Sequence, residues 1–167
     1  RNLFGMMMFL PLIASSGFSF MVTQRLPMHF LRAVLNVMAM AAFFMALSLT
    51  PLAEVNALAF SAPPFTAVLS VVLLGERIRA RRWTAIVLGF AGALVIIRPG
   101  FVEIDLGAIL TLVSAFIWGL TMIVIRSLGR TESSLTTTGY MITFLSVLSL
   151  GPALYVWQWP DWQAWAI

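Results

Sequence analysis

Uncharged, mostly apolar runs recur along the chain and are separated by short groups of charged residues. A helix needs about 20 mostly apolar residues to cross a bilayer, so runs of that order predict membrane spans. The run at 83–97 is shorter, but arginine side chains at both of its ends can snorkel to the membrane surface. The pattern predicts an all-α integral membrane protein, a multi-helix transmembrane bundle of about six spans: Leu3–Val22, Ala33–Ala53, Val55–Gly75, Trp83–Ile97, Leu106–Ile125 and Ser133–Pro160.

A single charge, Glu54, interrupts the long apolar sequence between Ala33 and Gly75. Because this sequence is long enough for two spans, a connection must lie within it. Pro51 and the polar sequence "TPLAEVN" predict a tight turn at this point. We therefore expect two antiparallel helices here rather than one very long helix.

Two adjacent prolines, Pro63 and Pro64, lie in the middle of the third predicted span. Proline removes a helical hydrogen bond and its ring pushes against the preceding turn, so a kink or an interruption is expected. Asn56, Ser61 and Thr66 are close in sequence. The pair predicts either a polar-lined site, since transporters place substrate where a helix is interrupted near the midplane, or a kink that only fits neighbouring helices.

Polar residues also form stripes at helical spacing in other spans. Such residues either line a cavity or bond neighbouring helices and their own carbonyl groups, and the sequence leaves both interpretations open. A third set, on one face of the second span, is mostly apolar. It either packs in the core or forms the wall of an aromatic pocket. The three sets are Thr111, Ser114, Trp118 and Thr121; Thr136, Tyr140 and Thr143; and Asn36, Met40, Phe43 and Leu47.

The composition agrees with a membrane protein, since 61% of residues are hydrophobic and 10% are charged. An ordinary soluble domain has roughly 45–50% and 25%. The absence of cysteine excludes disulfides and cysteine-based metal sites. No basic segment precedes the first apolar run, so we expect no signal peptide, and both ends are expected to be truncated.

Arginine is distributed unevenly between alternate loops, and basic residues are retained on the cytoplasmic side of a membrane. The loops after the first, third and fifth spans are therefore predicted to be cytoplasmic. Eight of the ten arginines fall in these loops: Arg25 and Arg32, then Arg77, Arg79, Arg81 and Arg82, then Arg126 and Arg130. The basic charge is split among short loops rather than forming one continuous face with base-stacking aromatics, so nucleic-acid binding is not expected.

The ionisable residues do not form a recognisable catalytic group. Enzymes need a nucleophile with a base, paired carboxylates or metal ligands within reach of one another. The acids are scattered over different loops, and His29 is predicted to be a solvated loop residue. We expect no enzyme activity, no metal and no cofactor.

The run "ALAFSAPPFTAVLSVVLLGERIRARRWTAIVLGFAGALVIIRPG", residues 57–100, resembles the end of an EamA repeat of the drug/metabolite transporter superfamily. The shared features are a mid-helix proline, "LGE" at a helix end, a basic stretch, a tryptophan, and a glycine-containing span ending in Arg-Pro-Gly. "LGAILTLVSAFIWGLTMIVIRSLG" looks like the first helix of the next repeat, and "RNLFGMMMFLPL" is similar to the second helix of the first.

The resemblance implies ten helices in two inverted five-helix repeats, of which this chain would hold helices two to seven. It would divide the chain into 1–100, the last four helices of the first repeat, and 101–167, the first two helices of the second. It also implies a transporter of a small organic solute in the bilayer of a bacterial inner membrane, working by alternating access. Cavity roles would then fall on Asn36, Phe43, Pro63, Pro64, Trp118 and Thr121. Further candidates are Thr66 beside the prolines, and Thr111, Ser114 and Tyr140 from the stripes.

Two other classes remain open at this point: a membrane scaffold protein and, less favoured, an integral-membrane enzyme. Glu76 has two possible roles. It either neutralises neighbouring arginines as an ion pair or forms part of a gate. Because no acid lies near a predicted midplane, we expect facilitated exchange, or weak proton coupling through Glu54 or Glu76. The substrate, the direction of transport and any homodimer are left open by the sequence.

Overall fold

A computed structural model describes residues 23–76, 80–97 and 105–155. Within these ranges the chain forms α-helices and no strands, which confirms the predicted all-α fold. The first predicted span, Arg77, Arg79 and Arg98 lie outside the described residues, as do the side chains of Arg81 and Arg82. The helices are α1 (Leu26–Leu49), α2 (Leu52–Ala59), α3 (Ala62–Leu74), α4 (Ala80–Ile97), α5 (Leu106–Leu128) and α6 (Ser134–Tyr155).

Three stretches in the described part are long and apolar enough to cross a membrane: Leu26–Leu49, Leu52–Leu74 and Leu106–Leu128. The middle stretch combines α2 and α3. Helix α4 contributes a shorter apolar segment, Trp83–Val95. These lengths and compositions agree with the multi-helix membrane bundle that the apolar runs predict.

Helix α1 begins seven residues before the predicted span. Pro27 lies in its first turn, where the missing N–H of proline would have no helical partner in any case. As a result, His29 and Arg32 are helical rather than part of a loop, and both are buried, at 1% and 8% exposure. The prediction of a solvated His29 in a loop was wrong, because an arginine near a helix end does not end the helix.

The turn predicted at Pro51 is present, since α1 ends at Leu49 and α2 begins at Leu52. A second break separates α2 from α3 at residues 60–61. The two prolines follow this break and occupy the first turn of α3, the position that helices tolerate best for proline. The third predicted span is therefore interrupted just before Pro63 rather than kinked at it.

Helix α5 lies at the centre of the described bundle and contacts α1, α2 and α3. Small residues permit the close approach. A Cβ atom on Gly119 would lie 3.2 Å from the backbone nitrogen of Thr66 in α3, and one on Gly89 of α4 would lie 2.6 Å from Pro64 Cγ. Phe65 of α3 completes the packing through edge-to-face contacts with Phe90 and Phe116, at centroid distances of 5.1 and 5.6 Å.

The helix ends can be matched by their contacts. Arg32 near the start of α1 reaches α6 at Thr137, and Glu76 after α3 reaches Arg126 near the end of α5. At the opposite end, Thr50 after α1 donates a hydrogen bond to Asp105 before α5. We call the end that carries Glu76, Arg126 and Arg130 the arginine-rich end.

Candidate functional site

A cavity of about 450 Å³ lies between α1, α5 and α6, beside the break between α2 and α3. Ala59 and Ala62, the residues on either side of the break, both contribute to its wall. The volume falls in the range of small-molecule sites. The lining residues are Asn36, Ala39, Met40, Phe43, Phe44, Ala59, Ala62, Ser114, Ala115, Trp118, Met141 and Leu145.

Few polar groups line this cavity. The Asn36 side chain is 5% exposed and lines the cavity. The Ser114 hydroxyl donates to the Ala39 carbonyl at 2.7 Å, which ties α5 to α1. Trp118 contributes its side chain to the same wall. An amide with both donors and an acceptor, held in an apolar wall, can orient a bound solute.

The remaining wall is aromatic and thioether-rich, with Met40, Phe43, Phe44 and Met141. Methionine is flexible and polarisable, so it adapts to ligands of irregular shape. Phenylalanine and tryptophan rings offer broad flat surfaces for stacking. The arrangement suits a small solute that has an apolar or planar part and one or a few polar groups.

A second space of about 390 Å³ runs between α3 and α5. Pro63, Thr66 and Ser70 line one side, and Trp118, Met122 and Arg126 line the other. The hydroxyls of Thr66 and Ser70 bond to carbonyl groups of their own helix. Because Trp118 and Ala62 contribute to both spaces, they separate the cavity from this groove.

The groove leads toward an ion pair at the arginine-rich end. Arg126 Nη1 lies 2.7 Å from Glu76 Oε2, with the two side chains 45% and 27% exposed. Arg130 Nη2 is 3.9 Å from the other carboxylate oxygen. Gly75, with a φ of +64°, ends α3 in the left-handed conformation and places Glu76 beyond the helix. The "LGE" sequence thus serves locally as a helix stop followed by an ion-pairing acid.

A buried polar cluster lies between α1 and α6 at the same end of the bundle. It was not predicted from the sequence. The His29 ring stacks on Tyr140 at a centroid distance of 4.7 Å. Arg32 donates to the Thr137 carbonyl at 3.1 Å and to the Met141 sulfur at 3.1 Å. Among the described residues, both His29 ring nitrogens and Arg32 Nε lack a hydrogen-bond partner. Positions 29, 32 and 36 share one helical face, and this spacing is the signal that could have revealed the cluster.

The predicted site residues fall into three groups. Asn36, Phe43, Ser114 and Trp118 meet at the cavity, while Pro63 and Thr66 line the groove. The others lie outside both spaces: Pro64 packs on Gly89, Thr111 and Thr121 donate to carbonyls of α5, and Tyr140 stacks on His29. Among the described residues, no group of three or more His, Asp or Glu side chains could hold a metal.

Comparison with the sequences of known proteins identifies the family of this chain. Residues 1–98 match the EamA-like transporter family. A riboflavin transporter of Rhizobium johnstonii is 30% identical over 151 residues, covering 90% of this chain and 50% of that protein. A riboflavin transporter of Vibrio cholerae is 30% identical over 142 residues, covering 84% of this chain and 48% of that protein.

A more distant match is an S-adenosylmethionine uptake transporter of Rickettsia prowazekii, 26% identical over 161 residues, which cover 96% of this chain and 55% of that protein. The chain thus spans about half the length of the curated relatives that it matches. The family match covers more than half of this chain, and the described helices are those of a membrane bundle. The chain belongs to the EamA-like transporters of the drug/metabolite transporter superfamily and is a multi-pass membrane protein.

Proposed function

We propose that this chain is part of a secondary transporter that moves a small organic metabolite across a bacterial inner membrane by alternating access. The observation that carries the proposal is the position of the cavity. It lies beside an interrupted membrane span, with the residues on both sides of the break in its wall. Transporters commonly bind substrate at such breaks.

The physical reason lies in the backbone. Pro63 and Pro64 have no N–H, so the carbonyls of Ala59 and Phe60 lose their usual helical donors. Such groups must be satisfied by protein, by water or by a solute, because lipid offers no hydrogen bonds. Ala59 faces the cavity, where a polar solute or water can supply a donor.

The complete site requires more chain than is present here. By analogy with the family, residues 1–100 form the last four helices of one five-helix repeat, and residues 101–167 begin an inverted second repeat. The two repeats would rock against each other around the cavity. The arginine-rich end would face the cytoplasm, in line with the distribution of basic residues between the loops.

For the substrate, the cavity favours an amino acid, a vitamin or a drug-like compound with a flat or apolar part. Asn36 would orient its polar edge, while Phe43 and Trp118 would contact its body. The relatives named for riboflavin and S-adenosylmethionine transport support solutes of this size. Since none of the described residues that line the cavity is an acid, we propose facilitated exchange or weak proton coupling rather than tight sodium coupling.

The test is flux by the full-length protein that contains this chain, reconstituted in liposomes. Riboflavin, S-adenosylmethionine and aromatic amino acids are supplied as labelled solutes, with solute trapped inside to drive counterflow. We expect saturable counterflow of at least one solute, weakened at least tenfold by Asn36→Leu. Val87→Leu, on an exposed part of α4, is the matched control.

Two results would overturn the proposal. No counterflow of any solute from correctly inserted protein would favour a scaffold role. A chemically altered solute appearing in detergent, without a sealed compartment, would indicate an enzyme.

A further inference from the structure

We propose that Arg32 forms an anion-binding subsite beside the cavity and receives a carboxylate or phosphate group of the transported solute. This inference rests on the proposed transport function and specifies that the substrate carries an anionic group. The solute would combine an apolar or planar body, held at Phe43 and Trp118, with an anionic group directed toward the arginine-rich end.

The first observation is that Arg32 is buried without a carboxylate. It is 8% exposed, and its hydrogen bonds go to neutral acceptors, the Thr137 carbonyl and the Met141 thioether. Its Nε has no partner. Burying a charge without a counter-ion costs free energy, so such groups are normally paired with an acid or serve a function.

The second observation concerns where the acids of this chain lie. Residues 1–22 contain none. Asp105 contacts Thr50, which is about 27 Å from Arg32 along α1 at 1.5 Å per residue. Glu103 and Asp161 lie outside the described residues. Glu54 is in the first turn of α2, near that same distant end.

The two acids described at the arginine-rich end have other contacts. Glu76 pairs with Arg126, and Glu132 accepts a hydrogen bond from Thr23 at 2.7 Å. No ion pair joins Glu132 to Arg32 in the described part of the chain. Among the described residues, Arg32 therefore has no carboxylate partner, and a bound anion can neutralise its charge.

The third observation is the connection to the cavity. Met141 lines the cavity and also accepts a hydrogen bond from Arg32 Nη2 at 3.1 Å. Thioether sulfur is a weak acceptor, whereas an anionic oxygen forms a stronger, charge-assisted bond. A solute oxygen can thus replace the sulfur once the flexible Met141 side chain turns aside. Asn36, one helical turn from Arg32, would hold the neighbouring part of the same solute.

His29 extends the subsite. It lies on the same face of α1 as Arg32 and Asn36, and stacking on Tyr140 fixes its ring. Both of its nitrogens are buried without partners. A second donor beside a guanidinium is a common arrangement for binding phosphate or carboxylate oxygens. The cluster therefore offers hydrogen bonds that no described protein group uses.

The experiment measures binding to the full-length protein in detergent with pairs of solutes, of which one member carries an anionic carboxylate or phosphate group that the other lacks. The pairs are riboflavin 5′-phosphate with riboflavin, indole-3-acetate with indole-3-acetamide, and phenylalanine with phenylalaninamide. We expect wild type to bind the anionic member of at least one pair tenfold or more tightly, the range for a bond to a charged group. Arg32→Gln should lose this preference, and Arg32→Lys should keep part of it.

Arg126→Gln, at the exposed ion pair of the same end, is the matched control and should leave the preference unchanged. Equal binding of both members of every pair by wild type would overturn the inference. So would a preference that survives in Arg32→Gln. Because binding is measured without a sealed compartment, these outcomes are distinct from a failure of transport in liposomes.

A lipid headgroup is the other source of such an anion, and a second arm separates it from a solute. Wild type and Arg32→Gln are compared in nanodiscs of phosphatidylcholine, with and without phosphatidylglycerol, in the absence of solute. We expect phosphatidylglycerol to change the thermal stability of both proteins equally. Stabilisation of wild type alone would assign the subsite to lipid and overturn its assignment to the solute.

Discussion

Arg32 and Arg126 lie at the same end of the bundle in opposite surroundings. Arg126 joins α5 to the end of α3 through Glu76, and its side chain is 45% exposed. Arg32 joins α1 to α6, is 8% exposed and contacts neutral acceptors. Glu76 thus pairs with Arg126, whose charge is already screened by water, and not with Arg32, whose charge is buried.

This difference helps to separate a structural contact from a functional one. An exposed ion pair contributes about 0–1 kcal/mol. A buried charge without its partner destabilises the protein by more than that, so a sequence shaped by stability alone would pair the buried arginine first. The Glu76–Arg126 pair is thus typical of a surface contact, whereas the buried α1–α6 cluster is the proposed binding subsite.

The largest effect is expected where α3 and α5 approach most closely. In Gly119→Leu, the new side chain would meet the Thr66 backbone and Phe65, forcing the helices apart. We expect a loss of about 1–3 kcal/mol in unfolding free energy, as for other overpacked contacts, measured by denaturant titration in micelles. Gly92→Leu is the matched control, because a Cβ there meets nothing within 4 Å. Equal losses in both variants would contradict the packing.

The α1–α6 cluster should respond next, through its aromatic stack. Tyr140 stacks on both His29 and Phe144. Tyr140→Leu keeps most of the apolar volume but removes the stacking, which is worth about 1 kcal/mol. The same titration measures the loss, with Leu135→Ala at the exposed start of α6 as the control. An unchanged unfolding free energy would show that the stack does not hold the cluster together.

Arg32 itself should behave unlike an ordinary buried ion pair. Arg32→Met removes a buried charge that has no acid partner, so we expect an unfolding free energy equal to or slightly above that of wild type. The melting temperature without solute is the measurement. A loss of about 3–5 kcal/mol, the cost of breaking a buried pair, would reveal a carboxylate partner and remove the reason for an anion subsite.

A small effect is also expected at the exposed pair. Glu76→Gln removes its attraction to Arg126, which is worth about 0–1 kcal/mol. Flux in liposomes should stay within about fivefold of wild type, the factor that corresponds to a change of up to about 1 kcal/mol. Loss of flux with normal insertion would instead make Glu76 part of a gate and would reverse the contrast with Arg32.

Several features of the fold could be predicted from the sequence for clear physical reasons. Apolar runs of span length and the turn at Pro51 depend on local composition, and both agree with the described helices. The prolines located the interrupted span to within a few residues. They could not give the exact break, because proline also fits the first turn of a new helix, and α3 begins at Ala62.

The candidate site was harder to predict because it depends on neighbours distant in sequence. Thr111 and Thr121 share a face with Trp118, yet they bond to carbonyls of α5 and do not reach the cavity. His29 and Arg32 looked like loop residues, since a run of uncharged residues begins only after them. Their burial follows from contacts with Tyr140 and Thr137, more than 100 residues away in the chain.

Cysteine accessibility at the break between α2 and α3 tests most directly whether the cavity is the solute pathway. The chain contains no cysteine, so Ala62→Cys introduces one thiol at the cavity wall, with any cysteine elsewhere in the full-length protein replaced. Val87→Cys, exposed on α4, is the control. We predict that a charged thiol reagent labels Cys at position 62 and abolishes flux, and that transported solute slows this labelling. The same reagent should leave the flux of the Val87→Cys variant unchanged. Full flux after complete labelling at position 62 would contradict the account.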